Sequence, residues 1–273
     1  ALELDLVDPK TKINTNGPIR IGGHKINDYR NNGPELPVWQ VITESSNLGT
    51  ARIAKMIGPE KQREFLSSLG FTSPTSVEMI EASGGKPLLP KRWNELETMT
   101  ISYGHGLSAT PLHLATGYAA LANGGRLVKP TLLEGKKFDL GPQVISKEVA
   151  ENSLAMLRGV VTEGTASLAD VSGYFVAGKT GTADKPSAQG GYDKEKNITN
   201  FASIFPIHEP KYVLVVTLDE AQDTSGPEPK RTAGWTAVPV SAEIIARVAP
   251  LLGLRPKFDN QSTVGVTLSN WQE

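Results

Sequence analysis

Cysteine is absent from the 273 residues, which excludes disulfides, thiol nucleophiles and thiolate metal sites. An excess of either charge is missing too: 28 basic residues meet 29 acidic ones, for a net charge of −1. Without a broad basic field nothing holds a polyanion, and nucleic acid is not an expected partner. Histidine is scarce, at four residues (His24, His105, His113 and His208). None is spaced as a metal pair with another and no His-Glu-x-x-His occurs, so neither a metal nor a cofactor is expected. Nowhere does an uncharged apolar run approach the roughly 18 residues of a membrane-crossing helix. The opening Ala1-Leu-Glu-Leu-Asp5 lacks the basic stretch and apolar core of a secretory signal. What is there is ordinary globular material, with 38% apolar and 21% charged residues, in a length that suits one large domain or two small ones.

Gly, Pro and Asn punctuate the chain. Residues 1–36, with Asn16-Gly17-Pro18 and Asn31-Asn32-Gly33-Pro34, read as loops and short strands. From Pro37 an apolar stripe (Val38, Val41, Ile42) predicts a helix. It breaks at Ser45-Ser46-Asn47 and resumes through Leu48, Ile53, Met56 and Ile57 to Gly58. Pro59 suits the first turn of a third helix, with Phe65, Leu66 and Leu69 on its apolar side and Gly70 at its end. Residues 72–98 read mostly as loop. Thr110-Pro111 sets a cap and a first-turn proline on a helix lined by Leu112, Ala115 and Ala119 and closed by Asn123-Gly124-Gly125, the expected order of start and stop signals. Arg126–Leu133 reads as a strand, and Ser146 caps a helix that turns Leu154, Leu157 and Val161 inward. Beyond Gly164 the pattern becomes β: Tyr174–Ala177, a polar loop over 183–198, then Phe201–Ile207 and Tyr212–Leu218 joined as a hairpin by His208-Glu-Pro-Lys211. Val238–Leu252 reads as a helix and residues 254–273 as a tail. A helical block, a small antiparallel sheet and a closing helix make an α+β fold.

Two short polar clusters bear chemistry. Ser45-Ser46-Asn47 interrupts a helical pattern, and its plain reading is an N-cap for the helix that follows. Its functional reading has Ser45 and Asn47 pointing the same way from a tight turn, setting a hydroxyl and an amide beside one reacting group. Lys179-Thr180-Gly181-Thr182 follows the apolar run ending at Ala177. Lys-Thr-Gly alone is a common tripeptide whose plain reading is a solvated strand end. A strand-borne Lys beside a hydroxyl also suits a substrate carboxylate. The strand's open edge suits an extended peptide, and a backbone N–H there suits an oxyanion hole.

Together and in this order, the clusters match the second and third elements of the Ser-x-x-Lys, Ser-x-Asn, Lys-Thr-Gly set. Their surroundings, Thr43–Ala54, Ser102–Ala115, Gly117–Gly125, Gly164-Thr165-Ala166, Ala177–Ala183 and Phe201–Pro206, closely resemble the transpeptidase domain of class B penicillin-binding proteins, and most of all the septal, division-specific branch. The likeness covers residues 13–252. It implies the penicillin-binding, serine β-lactamase-like fold, an antiparallel sheet flanked by helices with a helical subdomain. Residues 1–253 would be part of a transpeptidase domain and 254–273 a C-terminal tail. The function it implies is peptidoglycan D,D-transpeptidation on D-Ala-D-Ala stem peptides, with β-lactams as inhibitors and other division and cell-wall proteins as partners. The implied place is the periplasmic face of the inner membrane, with an N-terminal anchor helix outside these residues.

The resemblance also implies roles. Ser45 relays a proton toward the leaving amine and Asn47 holds the substrate amide. Lys179 hydrogen-bonds Ser45 and adds positive potential. Thr180 and Thr182, on either side of Gly181, bind the terminal carboxylate, and the Thr182 N–H supplies half of an oxyanion hole. The family's nucleophilic Ser and its Lys lie on a helix before Ser-x-Asn, which the likeness puts ahead of Ala1. These residues alone are therefore expected to be inactive. Ser83-Gly84-Gly85-Lys86 fits Ser-x-x-Lys formally, but it follows Ser-x-Asn, and its glycines and Pro87 oppose the helix that would align Ser with Lys. Thr182-Ala183-Asp184-Lys185 is a similar accident. His113 and His208 read as structural. His105, between Gly104 and Gly106, is the histidine the resemblance brings near the cleft. Three other readings stay open: a non-catalytic penicillin-recognition module acting as sensor or scaffold, a serine β-lactamase, and a structural protein without a site.

Overall fold

Four three-residue strands and a 3-10 turn lie in the first 37 residues, separated by the turns and loops that their Asn, Gly and Pro content favours. The structure, a computed structural model, describes residues 1–135, 140–187, 189–258 and 268–272. It divides into two compact units, residues 1–156 with 266–273 and residues 157–265.

In the first unit, β1 (Lys12–Asn14) pairs antiparallel with β4 (Glu35–Pro37), and β2 (Ile19–Ile21) with β3 (His24–Ile26). The β2–β3 turn is Gly22-Gly23, both at positive φ, the conformation a two-residue hairpin turn demands. Helices follow as α1 (Val38–Thr43), α2 (Asn47–Ile57), α3 (Pro59–Ser68), α4 (Glu95–Ser102) and α5 (Pro111–Ala122). Next come β5 (Arg126–Val128), paired with β6 (Leu140–Gln143), and α6 (Lys147–Thr162). Ile13, Leu36, Val38, Trp39 and Val41 form one core with Met156 and Leu268.

The helices keep their predicted ends, but two bury a different face. In α3, Phe65 is exposed and Gln62 is buried. The Gln62 amide donates to the Thr98 carbonyl (2.9 Å), and its oxygen accepts from Trp93 Nε1 (3.0 Å). An amide bonded at both its nitrogen and its oxygen can be buried where an unpaired one cannot. In α5, His113 and Ala120 are buried rather than Leu112, Ala115 and Ala119. His113 closes the cap, with Nδ1 2.8 Å from Thr110 Oγ1 and Nε2 2.8 Å from the Ser73 carbonyl oxygen. The stretch read mostly as loop ends with α4, started by a reciprocal Asn94–Glu97 cap. The strand expected over Arg126–Leu133 stops at Val128.

The second unit is built on three antiparallel strands, β7 (Ala177–Pro186), β8 (Tyr192–Phe205) and β9 (Tyr212–Asp219), in the order β7-β8-β9. Helix α7 (Ala237–Leu251) packs on β8 and β9 through Ala237, Val238, Ser241, Ile245 and Ala249, a stripe at helical spacing. Phe201 and Ile204 of β8 are fully buried. Two expectations are corrected here. The strand does not run from Tyr174 to Ala177; it starts at Ala177, because Phe175 breaks the extended chain at φ 44°. And the polar stretch is largely strand: β7 runs on to Pro186 and β8 begins at Tyr192, with Lys185 opposite Asp193 and Pro186 opposite Tyr192. Polarity misled because the strand's polar side chains find partners far along the chain. Asn197 Nδ2 donates to the Arg231 carbonyl (3.0 Å), and Thr199 Oγ1 accepts from the Thr236 hydroxyl (3.0 Å). On the exposed side, Lys185 pairs with Asp219 and Glu220. A short helix α8 (Ser269–Gln272) counts with the first unit. Among the described residues, no helix is long and apolar enough to cross a membrane.

Candidate active site

The Ser45–Asn47 cluster forms the elbow between α1 and α2 in the first unit. Helix α1 closes with the Ser45 N–H on the Ile42 carbonyl (3.3 Å) and the Ser46 N–H on the Val41 carbonyl (3.0 Å). Such a closure puts its hinge residue in the left-handed region, usually as glycine. Here the hinge is Ser45, at φ 59°, a conformation that costs a non-glycine residue roughly 1 kcal/mol. Strain of this kind persists only where the surroundings enforce it.

The next helix needs a cap, and Ser46 provides it. Its Oγ accepts the Gly49 N–H (3.0 Å) and donates to the Asp28 carboxylate (2.7 Å). Asp28 also accepts the Leu48 N–H (2.8 Å) and the Asn32 amide (3.1 Å). The elbow is tight: a Cβ on Gly49 would stand 2.7 Å from a Val41 methyl. The capping reading of the cluster is therefore met, by its middle residue. Ser46 is buried and caps; Ser45 is exposed; Asn47 is half-buried, with its amide donating to the Asn27 carbonyl (3.2 Å).

Lys179–Thr182 lies within β7, one of the two outer strands of the second unit's sheet, opposite Ala202, Phe201, Asn200 and Thr199 of β8. Strand alternation puts Lys179 and Gly181 on one face and Thr180 and Thr182 on the other. A Cβ on Gly178 would fall 2.5 Å from the Ala202 carbonyl oxygen and 2.6 Å from the Phe201 ring, and one on Gly181 would meet the Asn200 side chain at 2.6 Å. The glycines let β8 and its side chains press close against β7. Thr180 Oγ1 lies 2.7 Å from Thr165 Oγ1. Thr182 Oγ1 accepts the Ala233 N–H (3.0 Å), so its own proton can be donated elsewhere. Lys179 Nζ donates to the Thr180 carbonyl (3.2 Å). Burial pushes this ammonium from its ordinary 10.5 down to about 8, because a desolvated cation is disfavoured.

The remaining sequence candidates have local contacts of their own. Ser83 is exposed on a 3-10 turn (Ile80–Gly84) that ends before Lys86, and it donates to its own turn's Ile80 carbonyl (3.0 Å). His113 is a cap partner. The His208 ring stands edge-on to Phe175 at 5.4 Å. His105 lies 5.3 Å from the Tyr103 ring. Sequence reasoning passed over Asp28 and Ala233, which brace Ser46 and Thr182, and gave Thr165 no role. Only Thr165 had a signal, through the Gly164-Thr165-Ala166 context; nothing in spacing marks a carboxylate 18 residues before the serine it holds.

Residues 1–245 match the family of penicillin binding protein transpeptidase domains. The chain is 32% identical over 253 residues to a probable peptidoglycan D,D-transpeptidase FtsI of Caulobacter vibrioides, covering 89% of this chain and 42% of that protein. It spans about two-fifths of the length of the curated relatives it matches. Among solved structures, the apo transpeptidase domain of penicillin-binding protein 3 from Burkholderia pseudomallei has a TM-score of 0.84 at 33% identity, over 94% of this chain and 77% of that one. Penicillin-binding protein 3 of Mycobacterium tuberculosis, solved with aztreonam, has a TM-score of 0.77 at 27% identity, over 94% of this chain and 60% of that one.

Proposed function

Because the chain belongs to the transpeptidase domain family of class B penicillin-binding proteins, we propose that it is the larger part of the catalytic domain of a peptidoglycan D,D-transpeptidase. The observation that carries this reading is the family match across residues 1–245, which spans both polar motifs. The substrate is a stem peptide ending in D-Ala-D-Ala. A serine hydroxyl attacks the penultimate D-Ala carbonyl, the bond between the two D-Ala residues breaks, and the terminal D-Ala leaves as an amine after gaining a proton. An amine of a second stem then displaces the serine and forms the cross-link. Inhibition by β-lactams follows from acylation of the same serine.

The residues of this chain serve the steps around that serine. Ser45 passes the proton to the leaving amine, a task for an exposed hydroxyl whose neighbour has taken over the capping. Asn47 holds the substrate amide. Thr180 and Thr182 bind the terminal carboxylate by hydroxyl donation, and Lys179, protonated in its larger part at neutral pH, adds positive charge beside them. The Thr182 N–H stabilises the oxyanion. The reaction takes place on the periplasmic face of the inner membrane, where the whole protein is anchored and works with other cell-wall proteins.

Ser45 is the first serine in the chain, and no Ser-x-x-Lys precedes it. The test is a fluorescent penicillin, offered to the whole protein and to residues 1–273 alone, with intact mass as readout. The whole protein is expected to gain one adduct, and the 273-residue chain none. A stoichiometric adduct on the shorter chain would refute the assignment of the nucleophile, and none on the whole protein would refute the function.

A further inference from the structure

One residue outside both motifs touches the strand that carries Lys179 where that strand begins. Phe175 has φ 44°, and for a bulky side chain the left-handed region is a genuine outlier that its surroundings must enforce. The enforcement is visible on three sides. The Phe175 carbonyl accepts the Ile207 N–H (3.1 Å). Its ring takes the His208 ring edge-on, at 5.4 Å and 89°. The Arg158 guanidinium lies 5.9 Å from the ring centroid, within cation–π reach.

Arg158 does more than stack. Its Nη1 donates to the Val176 carbonyl (2.7 Å) and to the Asp170 carboxylate (2.9 Å). Val176 is fully buried, so its carbonyl has no water to replace a lost donor. Asp170 is about half exposed, and an ion pair in that setting is weak. The bond to Val176 is therefore the one that matters. A second grip sits four residues on, where Thr165 meets Thr180 across 2.7 Å. Both grips come from α6 and the turn after it, and between them they fix the chain from Val176, just before β7, to Thr180.

We propose that Arg158 is a positioning residue for carboxylate recognition, holding the start of β7 so that Lys179, Thr180 and Thr182 present their donors in register. This rests on the transpeptidase reading only for the identity of the ligand. Arginine suits the task because one planar fork can stack on a ring while its N–H groups reach two acceptors.

The test uses the whole protein and two substrates that differ in one group, an acyl-D-Ala-D-Ala peptide with a free carboxylate and its carboxamide. The ratio of their kcat/KM values reads carboxylate recognition and is insensitive to how much enzyme is folded. Arg158→Met is expected to cut that ratio about tenfold and Arg158→Lys to restore part of it, with the loss in KM rather than kcat. A ratio unchanged in Arg158→Met, whatever happens to melting temperature, overturns the proposal. If the unmodified protein shows no preference for the carboxylate, the functional reading fails, and amide hydrogen exchange over Val176–Thr182 then decides on Arg158 alone. Faster exchange there in Arg158→Met, with the rest of the second unit unchanged, upholds the positioning; identical exchange overturns it.

Discussion

Ser45 holds a conformation that glycine would hold more easily, and the proposed proton relay gives its hydroxyl a use. Replacing it separates stability from function. Ser45→Gly is expected to leave the melting temperature of the whole protein unchanged or slightly raised, since relief of up to roughly 1 kcal/mol of strain opposes the greater freedom of the unfolded chain. Turnover of a D-Ala-D-Ala peptide should fall at least about 100-fold, the lower end of what a positioned proton donor contributes. A variant that loses activity only in proportion to its folded fraction would remove Ser45 from the mechanism. Lys179 makes the residue scale pH-dependent. Its ammonium is disfavoured in the folded state, titrating near 8 against 10.5. Between those values the unfolded chain binds more protons, so this group's contribution to stability rises with pH across the window. The charge offered to a carboxylate is lost over the same range. Carboxylate-dependent kcat/KM should therefore fall above about pH 8, while Lys179→Arg should hold its lower activity to higher pH.

At the scale of elements, the fit between β7 and β8 turns on two glycines with unequal neighbours. A methyl on Gly178 would meet the Ala202 backbone oxygen at 2.5 Å, and the nearest atoms to one on Gly181 are those of the Asn200 side chain, from 2.6 Å. Gly178→Ala is expected to cost about 1–3 kcal/mol, as overpacking does, and Gly181→Ala clearly less, because Asn200 can swing aside. Thermal melts of the two variants compare them directly. The glycines were legible in the sequence, but the contacts that make them unequal were not. The same limit recurs across the fold. Helix positions α1, α2, α3, α5, α6 and α7 followed from periodicity and from Pro, Gly, Ser and Thr punctuation, because those signals act within a few residues. The reach of β7 to Pro186 and of β8 back to Tyr192 did not, because the Asn197 amide nitrogen and the Thr199 hydroxyl find their partners at Arg231 and Thr236, more than 30 residues away. Both polar clusters stood out as motifs. Their supports, Asp28 under Ser46 and Arg158 under Val176, are long-range contacts without a local pattern.

On the scale of the whole molecule, the first unit is discontinuous in sequence: it takes residues 1–156 and 266–273, with the second unit between. Leu268 is buried against the core of Val7, Ile13, Trp39 and Val41, and Trp271 packs on the same cluster. Leu268→Ala should destabilise by about 2 kcal/mol, the low end for a buried leucine, and a melting temperature equal to that of the unmodified protein would show the contact to be idle. Synthesis proceeds from one end of a polypeptide, and domains tend to fold as they emerge. The β7–β8–β9 sheet and α7 can therefore close while the earlier body still lacks a wall. On the ribosome, Trp39 waits for a leucine translated more than two hundred codons later, and during that interval the nascent chain shows an unfinished apolar seam to chaperones.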